Sequence, residues 1–428
     1  MSKLSRTWLA SGFSSALMLA DRFALNFSPL LAWGAERAGH WITFHSLIFL
    51  CCCFEGGNAA VSGQKLRNSI LMGAGLEEIK SEIGLGFIRQ LRLFFVVIIS
   101  FALLSFMIEV VPGLRSQVGA LIGEWLDGWM LILLSFYVAF YFLTQFQCFI
   151  LRSLDEGALA YNLVNVAKSV EVVLVLIMPF IFNSLIVLAA SLALARAVSF
   201  FSILFLGVAL LGRSMAGAQY ESSRDFGSDS RCSQTPSSRG EYGALALWPG
   251  LSASLPIILI NTVLGAQAVV VFSVHRLFSR VFVIFSQAAA RVAWAERMNG
   301  RQFSFLKTDN TDYSLWLLVL VVLFSCVLAL PSIVEFRPIV IFGVHYSFVL
   351  VLLFVLLGVL QSWIEMLVAL RAAVGKLEGI VYLRIAIFFV SCVVGALYAQ
   401  DLLVLTAALL MAEVIVMLRL NHSNVVWK

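Results

Sequence analysis

The sequence predicts an all-α integral membrane protein with about 12 transmembrane helices in two six-helix lobes. Of the 428 residues, 61% are hydrophobic and only 12% are charged, whereas soluble domains carry about 25% charged residues. Long apolar segments recur along the whole chain, and one polar interval divides it near the middle. Because so few polar side chains cannot cover a soluble domain, the composition excludes water-soluble enzymes and nucleic-acid-binding domains.

The individual spans follow from apolar segments that end at charged or turn residues. Lys3 and Arg6 precede the first span as they would in a signal peptide. The apolar stretch is too long for such a peptide and has no clear small-residue cleavage site, so we expect an uncleaved span. The predicted spans are 8–32, 41–62, 88–111, 128–151, 159–182, 184–212, 244–263, 267–291, 314–334, 339–369, 378–399 and 402–420.

The distribution of Lys and Arg predicts the topology. Most of these residues outside the spans lie on the side of the N-terminus, and the opposite side holds only Arg37, Arg115 and Arg337. The positive-inside rule therefore places both termini in the cytoplasm, which requires an even number of spans.

The polar interval defines the domain organisation. Segment 213–243 is rich in Ser and Gly and poor in large apolar residues, which is typical of a flexible linker, here on the cytoplasmic side. It separates a predicted N-lobe, 1–212 with helices 1–6, from a predicted C-lobe, 244–428 with helices 7–12. A Gly-Ala pair follows the opening helix of each half, at Gly34 and at Gly265, and this indicates an internal repeat.

Ionisable side chains inside the spans are the main functional signal. Each costs about 2.5–3.5 kcal/mol at the bilayer centre, so such groups usually face a cavity or a partner. They are Asp21, Arg22, Glu55, Lys168, Glu171, Arg196, His275, Arg276, Arg280, Glu365, Arg384 and Glu413.

The eighth span carries a basic stripe. Arg276, Arg280, Gln287 and Arg291 follow one helical face over about 22 Å. An anionic group must approach them, and the sequence leaves open a protein carboxylate, a lipid headgroup or a substrate phosphate. Arg291 could instead mark the cytoplasmic end and Arg276 could extend to the outer interface, but Arg280 is hardest to explain in that way.

Further polar positions complete the candidate site. Tyr137, Tyr141 and Gln145 share a face of the fourth span, and Asn165 lies on a polar face of the fifth. These residues could contact sugars or join helices. Lys168 could bind a ligand or pair with Glu171 three residues on. The candidate residues for a positively charged cavity that binds substrate are Arg280, Arg276, Lys168, Arg196 and Arg22. The candidate residues for ion coupling are Glu55, Asp21 and Glu413.

Enzyme and nucleotide-binding motifs are not found in the sequence. It contains no GxxxxGK[ST], HExxH or GxSxG pattern, and no acidic pair in a loop suited to a nucleotide sugar. We therefore expect no catalytic residues, no cofactor and no metal site, and a protein that is not an enzyme.

Four segments resemble the multidrug/oligosaccharidyl-lipid/polysaccharide (MOP) exporter superfamily, and within it the Wzx-type O-antigen and polysaccharide flippases. They are Trp33 to Trp41 after the first helix, Phe54 to Ala59 closing the second, Ile260 to Leu277 at the turn between the seventh and eighth, and Ile341 to Tyr346 opening the tenth. Trp33 replaces the usual leucine of the first, and Glu-Gly-Gly-Asn replaces the usual Asp-Leu-Gly of the second.

The resemblance implies two lobes around a cavity that opens alternately to either side of a bacterial inner membrane. It also implies a flippase that moves undecaprenyl-pyrophosphate-linked oligosaccharide, an O-antigen or related polysaccharide repeat unit, to the periplasmic leaflet. The arginines would then bind the pyrophosphate. The implied partners are this lipid-linked oligosaccharide, membrane lipids, a polysaccharide polymerase and a chain-length regulator, and no nucleic acid. The alternatives are a cation-coupled multidrug antiporter of the same fold and a membrane glycan polymerase or glycosyltransferase.

Overall fold

The computed structural model describes residues 3–55, 57–111, 113–114, 128–154, 156–222, 239–298, 339–341, 344–373, 379–398 and 402–422. Within these ranges the chain is α-helical apart from one short hairpin. The helices are α1 Lys3–Trp33, α2 Ala35–Cys53, α3 Asn58–Leu71, α4 Leu76–Val110, α5 Gly128–Ser153, α6 Gly157–Ile181, α7 Leu185–Ser222, α8 Arg239–Leu264, α9 Ala266–Met298, α10 Phe348–Ala373, α11 Ile380–Tyr398 and α12 Leu402–His422.

Eight segments of the described helices are long and apolar enough to cross a membrane. They are Leu76–Val110, Gly128–Ser153, Gly157–Ile181, Leu185–Phe205, Gly243–Leu264, Ala266–Ile284, Val349–Val368 and Leu402–Leu420, and Ile380–Gly395 is a shorter apolar helix. Many of their large apolar side chains face outward, including Phe106 and Leu194, as expected of surfaces that contact lipid. The predicted class, an all-α multi-pass membrane protein, is confirmed. The predicted ninth span, 314–334, lies outside the described residues.

The second predicted span, 41–62, is wrong at its C-terminal end. Helix α2 ends at Cys53, and α3 begins at Asn58 after a turn in which Gly57 has φ +73°. This left-handed conformation is costly for residues with a Cβ atom. Hydropathy alone joined the two helices because apolar residues flank the break on both sides.

The tenth predicted span, 339–369, is wrong at its N-terminal end. Strands β1 (Ile339–Ile341) and β2 (Val344–Tyr346) form an antiparallel hairpin that pairs Val340 with His345. Helix α10 starts only at Phe348. The β-branched residues of this segment suit a strand as well as a span.

The described chain divides into two compact units. The dividing points lie at Leu17/Met18 in α1, Thr43/Phe44 in α2 and Gly250/Leu251 in α8. Unit 1 holds the start of α1, the end of α2, helices α3 to α7 and the start of α8; unit 2 holds the other parts of α1, α2 and α8 with α9 to α12. Within the predicted linker, α7 continues to Ser222 and α8 begins at Arg239. The predicted lobe boundary and a flexible segment between these helices stay predictions.

In unit 2, α9 and α10 pack with their backbones in direct contact. A Cβ atom added at Gly358 of α10 would lie 2.6 Å from Cα and 2.7 Å from the carbonyl oxygen of Ser279 in α9. The rings of Phe272 and Phe354 meet edge to face beside this contact, with centroids 5.2 Å apart. A small residue at such a position lets two helices approach closely.

We therefore expect Gly358→Ala to destabilise the protein by about 1–3 kcal/mol, because its methyl group would force the two backbones apart. Gly84→Ala is the matched control, since nothing lies within 4 Å of a Cβ atom built there. Unfolding in detergent micelles measures both changes. Equal stability of the two variants would contradict the close contact.

Candidate functional site

Unit 1 holds a buried cluster centred on Glu171 of α6. Its carboxylate contacts Arg196 of α7 at 2.5 Å and Lys168 at 3.1 Å. The hydroxyl of Tyr137 in α5 donates to Glu171 at 3.2 Å and accepts from Nη2 of Arg196 at 2.8 Å. Three helices thus meet at one carboxylate. With two cations on a single acid, the cluster carries a formal excess of positive charge.

Two tyrosines flank the guanidinium of Arg196. Its Cζ lies 5.0 Å from the ring centroid of Tyr137 and 5.4 Å from that of Tyr141, within the range of a cation–π contact. Its Nε is buried and has no hydrogen-bond partner among the described residues.

The predicted polar positions of unit 1 are thus brought together in part. Tyr137, Lys168 and Arg196 share the Glu171 cluster, and Tyr141 joins it through its ring. Asn165 instead donates to the carbonyl of Ala10 at 3.0 Å and so joins α6 to α1. Gln145 is half-buried on α5. The sugar-facing role of these residues stays a prediction.

Glu55 lies in the turn between α2 and α3, where it caps the N-terminus of α3. Its carboxylate accepts hydrogen bonds from the N–H groups of Gly57 and Ala59 and, at 2.8 Å, from Nε2 of Gln90 in α4. These bonds satisfy helix N–H groups that have no partner inside the helix. A structural role therefore accounts for this buried acid, and its predicted part in ion coupling stays untested.

We expect Glu55→Ala to destabilise the protein by about 1–3 kcal/mol, because buried donors on α3 and on Gln90 would lose their acceptor. Glu55→Gln keeps one acceptor oxygen and should cost less. Unfolding in detergent orders the two variants, and equal stability of Glu55→Ala and the parent protein would contradict the capping role.

Unit 2 holds a second buried ion cluster, which joins α10, α11 and α12. Arg384 donates from Nε and Nη2 to the two carboxylate oxygens of Glu413, at 3.1 and 3.2 Å, and from Nη1 to Glu365 at 2.8 Å. Gln361 donates to Glu413 at 3.1 Å. Of these residues only Glu413 was among the predicted site residues. Arg384 was recognised only as an ionisable residue of the predicted span 378–399, because its partners lie on other helices.

The basic stripe of α9 lies in the same unit. Arg276 is buried, and both Arg22 of α1 and Arg280 lie within electrostatic reach of its guanidinium and repel it. Nη2 of Arg280 is buried and has no hydrogen-bond partner among the described residues. Glu365 attracts Arg280 but is itself bonded to Arg384. Arg276 and Arg280 are therefore neighbours on one face of α9, and Arg22 lies within electrostatic reach of both.

Asp21 is buried beside Arg22 on α1. In the part of the chain that the structure describes, no group of three or more His, Cys, Asp or Glu side chains is arranged to hold a metal ion.

Comparison with known proteins gives structural matches only. No family model matches the sequence, and no curated protein matches it. The solved structure of the MATE multidrug transporter DinF-BH has 16% identity and a TM-score of 0.65, with 98% of this chain and 95% of that chain covered. An outward-facing multidrug resistance MATE family transporter of the MOP superfamily has 14% identity and a TM-score of 0.57, with 100% and 99% covered.

A third structure has a different description. It is a MOP superfamily transporter from Pyrococcus furiosus whose binding pocket is described as having reverse polarity that suggests a different function. It has 14% identity and a TM-score of 0.58, with 98% of this chain and 93% of that chain covered. At these identities the matches establish the architecture: the chain has the fold of the MATE transporters of the MOP superfamily.

Proposed function

We propose that this protein is a MATE-type secondary transporter that exports an amphiphilic compound with a negatively charged group by alternating access. The observation that carries the proposal is Arg280, whose buried Nη2 has no hydrogen-bond partner among the described residues. Arg22 and Arg276 add positive charge around it. An anionic ligand would supply the missing acceptor and relieve the mutual repulsion of the three guanidinium groups.

The architecture supports transport rather than catalysis. The matched structures DinF-BH and the outward-facing protein are described as multidrug transporters. The Pyrococcus furiosus protein shows that the fold also occurs with a pocket described as reversed in polarity. A cation-coupled exchange of the multidrug type therefore has more support from the comparisons than the flippase that the sequence resemblance implies.

The flippase is the second candidate, and the arginines favour it over a transporter of cationic drugs. A lipid-linked pyrophosphate presents several acceptor oxygens, which match the forked donors of arginine. An inside-negative potential would assist outward movement of such charge, by about 2.3 kcal/mol per charge per 100 mV if the charge crosses the full field. This candidate includes the predicted bacterial inner membrane, cytoplasmic termini, and partnership with a polymerase and a chain-length regulator.

Purified protein in proteoliposomes tests the proposal with three fluorescent cargoes: a cationic dye, an anionic amphiphile, and a polyprenyl pyrophosphate that carries an oligosaccharide. A pH gradient, a Na⁺ gradient and a membrane potential are imposed in turn. We expect movement of the anionic amphiphile. Movement of the glycolipid as well would favour the flippase, and movement of the cationic dye alone would overturn an anionic cargo.

The Arg280→Met variant tests whether Arg280 binds the anionic cargo. We expect it to reduce transport of the anionic cargo at least tenfold, because a charge-assisted hydrogen bond to a buried group is worth about 1.5–3 kcal/mol. Arg89→Met is the matched control, since Arg89 is exposed on α4. If both variants transport at the parent rate, Arg280 does not contact the cargo.

A further inference from the structure

Pro256 lies inside α8, four residues after Ser252. Proline has no backbone N–H, so the carbonyl of Ser252 lacks the donor that would complete its helical hydrogen bond. The proline ring also presses on that turn, and helices with an interior proline bend there. In a membrane a carbonyl that has lost its helical donor needs a donor from elsewhere in the protein, because lipid supplies none.

Arg276 of the neighbouring helix α9 supplies that donor. Its Nη2 donates to the carbonyl of Ser252, and its Nη1 donates to the carbonyl of Ala253 at 2.5 Å. The residue is only 7% exposed, and its Cζ lies 5.7 Å from the ring of Phe272 one turn earlier. The two arms of the guanidinium therefore hold adjacent carbonyls in the turn that the proline disrupts.

We propose that Arg276 is a positioning residue that fixes the shape of α8 at Pro256. Its fork replaces the backbone hydrogen bond that the proline removes, and it ties the turn at Ser252 and Ala253 to α9. The turn at Ser252 and Ala253 can move relative to α9 only if these two bonds are released. This inference does not depend on the proposed cargo, since it concerns bonds within the protein.

The assignment gives the neighbouring arginines of the basic stripe different roles. Arg276 and Arg280 are separated by one helical turn on the same face of α9. Both Nη atoms of Arg276 are bonded to α8, whereas Nη2 of Arg280 has no partner among the described residues. A neutral backbone acceptor leaves the charge of Arg276 in place, so Arg276 contributes electrostatic potential and Arg280 is the side chain with a free donor.

A double-mutant cycle between positions 276 and 256 tests the inference, with Tm in detergent as the readout. We expect Arg276→Met to lower Tm by about 4–8 °C in the parent protein, as expected for the loss of two hydrogen bonds from a charged donor. In the Pro256→Ala background residue 256 regains its N–H, so the same change should cost about half as much or less. Equal losses in both backgrounds would overturn the proposal.

Arg280→Met is the matched control, because it removes a guanidinium from the same face of the same helix. Its Tm shift should be the same in the parent protein and in the Pro256→Ala background. If its shift also depends on residue 256, the coupling reflects charge in general and the proposal is wrong. If Arg276→Met does not fold, recovery of folded protein in the Pro256→Ala background supports the proposal, and no recovery overturns it.

Two further measurements distinguish the effect of the planar guanidinium group of Arg276 from the effect of its charge. Lysine keeps the charge but has no planar fork, so Arg276→Lys should lower Tm almost as much as Arg276→Met. Full retention of Tm by the lysine variant would contradict the proposed bonds. Hydrogen exchange should show faster exchange confined to the α8 peptide around residue 256 in Arg276→Met, and Pro256→Ala should reverse it. Uniformly faster exchange would indicate a general packing defect instead.

Discussion

Replacement of Arg384 by methionine is expected to lower the free energy of unfolding by about 3–5 kcal/mol, the usual cost of removing one partner from a buried ion pair. Arg384 bonds to the carboxylates of Glu413 and Glu365, and its side chain is 2% exposed while those of the acids are 1% and 13% exposed. Without the guanidinium, two negative charges would face each other inside a bundle of three helices. Reversible unfolding in mixed micelles measures the loss.

A variant that has no charges in this cluster tests whether the unbalanced acids cause the loss of stability. Arg384→Met combined with Glu413→Gln and Glu365→Gln removes the cation and both acids, so most of the lost stability should return. Lys80→Met breaks an ion pair with side-chain exposures of 53% and 86%, and such surface pairs contribute about 0–1 kcal/mol. If Arg384→Met has an effect as small as that of Lys80→Met, the buried network contributes little.

A loss of similar size, about 3–5 kcal/mol, is expected when Glu171 is replaced by leucine. Glu171 is the acid that contacts both the buried Arg196 and the half-buried Lys168, so its loss removes the carboxylate that faces these two cations and the hydroxyl of Tyr137. Lys168→Met should change stability far less, because it leaves a one-to-one pair between Glu171 and Arg196.

Lys168→Met serves as the control for Glu171→Leu, because both variants remove the same ion pair between Lys168 and Glu171, at 3.1 Å. Unfolding in detergent ranks the free energies of unfolding of Glu171→Leu, Lys168→Met and the double variant Glu171→Leu/Arg196→Met. We expect the double variant to be more stable than Glu171→Leu alone, because no unbalanced Arg196 then remains. A double variant less stable than the single one would show that Arg196 stabilises the fold independently of Glu171.

The class of protein and most spans could be predicted from the sequence because they depend on composition and on apolar segment length. The ion pair between Lys168 and Glu171 could also be predicted as one of two alternatives, since they stand at positions i and i+3 of one helix. The bond from Glu171 to Arg196 could not, because it joins separate helices and no local spacing records it. Arg384 was missed as a cluster centre for the same reason.

Errors at segment ends have a different physical origin. The break at Gly57 depends on a backbone conformation, and the hairpin at Val340 depends on strand pairing; hydropathy registers neither. For the stripe on α9, the sequence leaves open whether Arg276 faces an anionic partner or extends to the outer interface. Periodicity places Arg276 and Arg280 on one face, but it does not show that Arg276 donates to the carbonyls of Ser252 and Ala253 on another helix.

The contact between Gly358 and Ser279 also restricts how the protein can move. Where backbones touch, no layer of side chains exists that could slide or change rotamers, so α9 and α10 have few independent degrees of freedom. We expect the pair to behave as one rigid element in the alternating access that we propose, with Arg280 at a constant position along α10. Spin labels on the two helices should then report one interhelical distance with and without cargo.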